Sequence, residues 1–304
     1  MLPKDVTYAN VQLPYLQTNP RALWKNIQAA YRQKSAVNHI TGDIHYIAIA
    51  LPRHNTILTI HDLRILDLVS PLKKRLIQLL WFTLPAHTVK YITVISEATK
   101  SELVNRIGVA ASKIKVIPNP VAASYIFVPK FFYQVNPSIL HLGTKENKNL
   151  DRLITAVAEI NCHLRIIGKL NSQQHELLEK YTISYSNTWD LSLEQIVKEY
   201  QQADIVSFVS LYEGFGMPIV EAQATGRPVI TSNCSSMPEV AGEGALLIDP
   251  TSVEEIRRGI IRLIEDEGLR NSLIQKGLEN VKRFDAKVIA AQYAELYRKI
   301  AAEA

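Results

Sequence analysis

Short apolar strands that end in a glycine or polar turn and pass at once into a helix recur along the whole chain. That alternation restricts the fold to parallel, doubly wound α/β sheets, because a helix must carry the chain back between successive parallel strands. The sharpest instance is Asp204-Ile205-Val206-Ser207-Phe208-Val209, a buried-type run rich in β-branched and aromatic residues. It leads into Tyr212-Glu213-Gly214-Phe215-Gly216-Met217-Pro218-Ile219-Val220-Glu221. Gly214 and Gly216 allow close approach of the backbone to a ligand, and Pro218 suits the start of a helix. Exposed N–H groups at such a helix start hold a phosphate or a sugar hydroxyl. Glu221 is then placed to accept hydrogen bonds from a ribose diol, and Glu213 to grip a sugar. The same spacing also fits an ordinary strand–turn–helix in which Glu221 only complements the helix dipole.

Two further junctions share this design. Ser138–Leu142 runs into Gly143-Thr144-Lys145-Glu146-Asn147-Lys148-Asn149-Leu150, a second anion cradle at a helix start. Lys148 falls near the first helical turn, where an ammonium opposes the dipole; a bound diphosphate accounts for it, and so does a solvated lysine beside an Asn149 cap. Leu58-Thr59-Ile60-His61-Asp62 is a strand ending in a histidine and an aspartate, at the end of the strand where open α/β sheets carry their chemistry. His61 is either a sugar-binding or proton-handling group or a satisfied structural histidine, and His45 is read as structural.

The remaining pattern reads as strands at Val6–Val11, Val37–Ile40, Thr56–Ile60, Ile92–Ile95 and Ile114–Ile117, with helices over 21–33, 72–84 and 97–107. In the second half, strands at Ser138–Leu142, Leu164–Ile167 and Asp204–Val209 alternate with helices over 149–160, 173–181 and 192–201. After Pro250 the pattern is all helical, and the proline-rich tract Val116–Pro137 reads as a linker.

Composition sets the outer limits. The 304 residues are 47% hydrophobic and 21% charged, a globular balance sufficient for two domains. Cys162 and Cys234 are the two cysteines, so no disulfide framework is expected and a reducing, cytoplasmic setting is the default. No apolar run reaches membrane-span length, and no signal peptide is read. The net charge of +5 favours an anionic partner. No nucleic-acid module is present, so a sugar nucleotide or an anionic membrane surface fits better. Lys73, Lys74 and Arg75 stand beside the apolar stretch Leu76–Phe82, either as a peripheral membrane contact at the inner face of the cytoplasmic membrane or as the solvated end of a core helix.

Glu213 and Glu221, with seven residues between them, followed by Ala222-Gln223-Ala224-Thr225-Gly226-Arg227-Pro228-Val229-Ile230, resemble the donor-site signature of retaining glycosyltransferases of the GT-B fold, family 4. The likeness continues through Ser235-Ser236-Met237-Pro238-Glu239 and Ala245–Pro250. The resemblance implies two Rossmann-like doubly wound parallel-sheet domains facing a cleft. An acceptor-side domain over residues 1–125 and a nucleotide-sugar domain over 126–285 are expected, with a helix over 286–304 crossing back to the first. It implies His61, Glu213 and Lys148 as catalytic residues and Gly143, Thr144, Lys145, Gly214, Phe215, Gly216, Met217 and Glu221 as donor-binding residues. Lys148 would neutralise the departing phosphate. Many members place an arginine shortly before this lysine, where this chain has Thr144 and Lys145.

The implied reaction moves a hexose from a UDP- or GDP-sugar to a hydroxyl of a glycan or lipid-linked acceptor in polysaccharide synthesis. It needs no cofactor, and no Asp-x-Asp pair is found at a strand end, so no metal is expected. Two other classes stay open: a GT-B epimerase or phosphorylase, and a non-catalytic sugar-nucleotide-binding or scaffold protein.

Overall fold

The computed structural model describes residues 2–15, 19–33 and 35–303. The chain divides into two compact units, one comprising Met1–Pro118 with Lys287–Ala304 and the other Asn119–Ala286.

The first unit is built on a four-stranded, all-parallel sheet. Its strands are β1 (Asn38–Ile40), β2 (Thr56–Ile60), β3 (Tyr91–Val94) and β4 (Ile114–Val116), side by side in that order. β2 is buried along its whole length, as a parallel strand covered on both faces must be. One face is covered by Ala30, Leu63, Phe82, Ala86, Leu103 and their neighbours. On the other, Ile57 and Ile117 pack with Ile289, Leu296 and Ile300 of the Ala286–Glu303 helix. That helix therefore closes the core of the first unit, although it is last in the sequence.

Two sequence expectations are corrected here. Val6–Val11 forms no strand, and its side chains are mostly exposed. The helix expected over 72–84 is interrupted: Pro71–Ile77 is α-helical, Gln78–Thr83 is a π-helical segment, and Leu84–Thr88 resumes the α-helix. Pro85 supplies the reason, since it has no N–H to offer the carbonyl of Trp81 four residues back. That carbonyl is taken by Nδ1 of His45, at 3.0 Å. His45 is buried, and burial pushes its pKa down.

The second unit carries a six-stranded parallel sheet in the order β10-β9-β8-β5-β6-β7. Its strands are β5 (Ser138–Leu142), β6 (His163–Ile167), β7 (Tyr185–Thr188), β8 (Ile205–Phe208), β9 (Val229–Ser232) and β10 (Leu246–Ile248). β7 was not read from the sequence, because Tyr185-Ser186-Asn187-Thr188 lacks an apolar run and sits on the sheet edge. The core gathers Ile139, Leu153, Ile154, Leu164, Ile205, Ile230 and Ile260, all fully buried; burying each such side chain stabilises by about 1.5–3 kcal/mol. The strand order reverses between β5 and β8, which are neighbours although far apart in sequence. Such a switch point opens a crevice at the strands' carboxyl ends, where ligands bind in this class of sheet.

Candidate functional site in the second unit

The crevice beyond β5 and β8 is lined by the two glycine turns. After β5, Gly143 adopts φ +91°, and its N–H donates to the Ile167 carbonyl at 2.7 Å. A Cβ at this position would meet Cγ of Lys148 at 2.7 Å, so the missing side chain is the space through which the Lys148 stem passes. Lys148 ends a short 3₁₀ turn, Glu146–Lys148, directly before the Leu150–Val157 helix. Asn149 between them is left-handed, at φ 64°. It is the helix's N-cap residue but makes no side-chain capping bond; its side-chain amide donates instead to the carbonyls of Val209 and Pro250, tying the turn to the ends of β8 and β10.

Lys148 and Glu213 meet in this crevice. Lys148 Nζ lies 2.7 Å from Glu213 Oε1 and 4.9 Å from the centre of the Phe208 ring. Both charged side chains keep only a small part of their surface in water, 22% and 16%. His141, fully buried on β5, is held neutral: burial, and then the Lys148 charge, push its pKa down to about 4. It adds no second positive charge beneath the lysine.

The loop that carries Glu213 is pinned from behind. The single Ser236 Oγ–H is shared between the carbonyls of Glu213 and Phe215, at 2.9 and 2.7 Å, and Ser235 Oγ donates to the Glu213 carbonyl at 2.5 Å. Asn147 donates its side-chain amide to the Tyr212 carbonyl and to Glu213 Oε1, each at 3.2 Å. Gly216 then turns the chain at φ 110° into the Met217–Thr225 helix, whose first turn holds Pro218 and has no side-chain cap. An uncapped helix start presents N–H groups to an anion. The Phe215 ring is buried edge-on against Phe284 at 5.5 Å, so it is turned into the core and only the backbone of this residue is open to the turn.

Glu221, one turn further along that helix, is mostly buried. Its Oε2 accepts the Tyr200 hydroxyl at 2.6 Å, and Tyr125 donates to the same carboxylate. Burial raises the carboxyl above its ordinary value of 4.5, while the two phenols oppose that rise. The Thr144 hydroxyl donates to the Lys169 carbonyl at 2.7 Å, so it has an acceptor lone pair rather than a proton to offer a ligand. Lys145 is exposed.

The structure thus brings together Gly143, Lys148, Glu213 and the Gly214–Met217 turn. His61 belongs to the first unit. Its Nε2–H donates to the Thr41 carbonyl at 2.9 Å. Sequence reasoning missed Asn147, Tyr125, Tyr200 and the Ser235–Ser236 pins. The serines were legible only as part of a family likeness, and the others carried no signal of their own.

Residues 132–280 match the family described as Glycosyl transferases group 1, and residues 4–125 match Glycosyltransferase Family 4. The chain belongs to these glycosyltransferases. It is 26% identical over 232 residues to the O-antigen chain mannosyltransferase B of Escherichia coli, a match over 69% of this chain and 60% of that protein. It therefore spans less than two thirds of that relative's length. Among solved structures, sucrose-phosphate synthase from Thermosynechococcus elongatus superposes with a TM-score of 0.81, over 96% of this chain and 83% of that one, at 20% identity. HepE of Anabaena, in complex with UDP and glucose, gives 0.78 over 92% and 82% at 19% identity. The fold of the family 4 chain is GT-B, with its two parallel sheets and its C-terminal helix.

Proposed function

We propose that this family 4 protein is a retaining hexosyltransferase that takes a hexose, mannose being the first candidate, from a nucleoside diphosphate sugar and passes it to a hydroxyl of a glycan or lipid-linked acceptor. The observation that carries the reading is the Lys148–Glu213 pair at the switch point of the second sheet. It sets a cation and a carboxylate where a diphosphate and its sugar would lie. The mannosyltransferase relative supports the choice of sugar.

In this reading Lys148 and the uncapped start of the Met217–Thr225 helix compensate the charge that grows on the leaving diphosphate, so the step needs no metal. The bond from the anomeric carbon to the phosphate oxygen breaks, its electron pair leaving with the diphosphate. The acceptor oxygen bonds to the same face, and its proton passes to a phosphate oxygen. Glu213 holds the sugar hydroxyls and Glu221 the ribose, while His61, on the first unit, serves an acceptor hydroxyl.

A panel of UDP, GDP and ADP with their hexose conjugates tests the donor site by thermal stabilisation. One nucleotide family should raise stability by about 2.7 kcal/mol at a hundredfold excess over its dissociation constant. Glu221→Ala and Lys148→Ala should both lose that shift, and a flat response to every nucleotide would remove the reading.

The acceptor side has its own observation. Leu68, Leu72, Leu76 and Leu79 are all exposed, Leu72 to 82%, in a helical stretch flanked by Lys73, Lys74 and Arg75. Lys74 is engaged by Asp67 at 3.5 Å, which leaves Lys73 and Arg75 for anionic headgroups. At about 1 kcal/mol per basic residue near an anionic surface, Lys73→Glu with Arg75→Glu should weaken co-sedimentation with phosphatidylglycerol vesicles by at least about thirtyfold. Neutral vesicles should not sediment the wild-type protein comparably. Equal binding to both kinds of vesicle would remove the electrostatic contact.

A further inference from the structure

Glu213 Oε1 receives two donors: the ammonium of Lys148 at 2.7 Å and the amide of Asn147 at 3.2 Å. If Lys148 is the group that meets the diphosphate, it cannot give its full charge both to the donor and to Glu213. Asn147 is differently placed. It is buried, its backbone carbonyl accepts the Leu211 N–H at 2.8 Å, and its amide nitrogen sits against two acceptors, Glu213 Oε1 and the Tyr212 carbonyl. Both neighbours are oxygens, so the amide must turn its nitrogen toward them. Its hold on Glu213 does not depend on where the Lys148 ammonium goes.

We propose that Asn147 is the positioning residue of the sugar subsite, keeping the Glu213 carboxylate aimed at the hexose when the donor diphosphate draws Lys148 away. This rests on the donor-site reading above and deepens it by assigning the sugar's contribution to binding to an Asn147–Glu213 couple. In the structure Lys148 and Asn147 share one carboxylate oxygen. In the donor complex the lysine turns to the phosphates, and the amide alone keeps that oxygen from swinging out of register. A hydrogen bond to a charged group is strong enough for its loss to show as about a tenfold or larger change in affinity.

The experiment compares the dissociation constants of the free nucleoside diphosphate and of its hexose conjugate by calorimetry, and follows turnover in parallel. Asn147→Ala should leave the free nucleotide within about twofold of wild type and reduce the added affinity from the hexose about tenfold. Asn147→Asp, of the same shape but with oxygens facing oxygens, should reduce it further. In a Glu213→Ala background, Asn147→Ala should change the hexose term no more, because the two act as one unit. Equal losses for nucleotide and conjugate, or a loss that persists in the Glu213→Ala background, would show that Asn147 only supports the loop and would overturn the assignment. If the wild-type protein binds neither ligand, the donor-site reading itself fails, a result distinct from either of these. A melting curve for each variant separates loss of fold from loss of aim.

Discussion

Lys148→Ala is expected to lower kcat/KM about a hundred- to a thousandfold while the protein stays folded. The size follows from the chemistry asked of that one ammonium. Removing a single preorganised group that stabilises developing charge costs about 10²–10³ in rate, and Lys148 lies in a crevice that keeps most of its surface from water. The substitution has a second consequence, since Glu213 loses its nearest cation and keeps only the Asn147 amide on Oε1. Lys148→Arg should not restore the wild-type rate. The lysine stem threads the space above Gly143, where even one added carbon would meet it at 2.7 Å, and a planar guanidinium has no equivalent path to the same point. Steady-state kinetics with melting curves for both variants measure this. A loss under about fivefold for Lys148→Ala, with the melting temperature unchanged, would mean that leaving-group charge is compensated elsewhere.

The parts of this site that were legible in the sequence are those in which residue type and local backbone say the same thing. Gly143 and Gly216 stand at positive φ where a strand turns into a helix, and β5 and β8 are apolar runs ended by those turns. Such features depend on neighbours a few positions away, and pattern reading reaches them. The contacts that complete the site join positions far apart. Asn147 reaches Glu213 across 66 positions, and the Ser236 hydroxyl reaches the Glu213 carbonyl across 23. Neither link follows from spacing, because side-chain direction is fixed only once β5, β8 and β9 lie side by side. Local pattern also misled in two places. Val6–Val11 has strand composition but no partner strand among the described residues to complete a ladder. Pro85 broke an apparently continuous helical period by removing one donor. An apolar period reports which face is buried, and says nothing of whether each backbone carbonyl finds its N–H.

Tyr200→Phe is expected to lower stability by about 2 kcal/mol at pH 8 and by much less near pH 4, below the ordinary carboxyl value of 4.5. The phenol donates to Glu221 Oε2 at 2.6 Å, and losing a hydrogen bond to a buried charged group costs about 1.5–3 kcal/mol. The ring itself stays in place in the variant, so its edge-on packing against Tyr125 survives. The pH dependence follows from burial, which raises the folded-state pKa of Glu221 above its ordinary value. Between that value and the raised one the native state holds more protons than the unfolded chain, so stability falls as pH rises through the interval and levels off above it. Tyr200 opposes the rise by favouring the charged carboxylate. Its loss pushes the folded pKa higher, extends the interval upward and deepens the loss at alkaline pH, whereas in acid the carboxyl is protonated and the phenol matters little. Thermal unfolding at the two pH values reads this as a drop of about 4–8 °C at pH 8. An equal drop at both would mean that the phenol contributes packing alone. The same shift acts on ligand binding: if the ionised Glu221 accepts a ribose hydroxyl, donor affinity in Tyr200→Phe should begin to fall at a higher pH on acidification than in the wild-type protein.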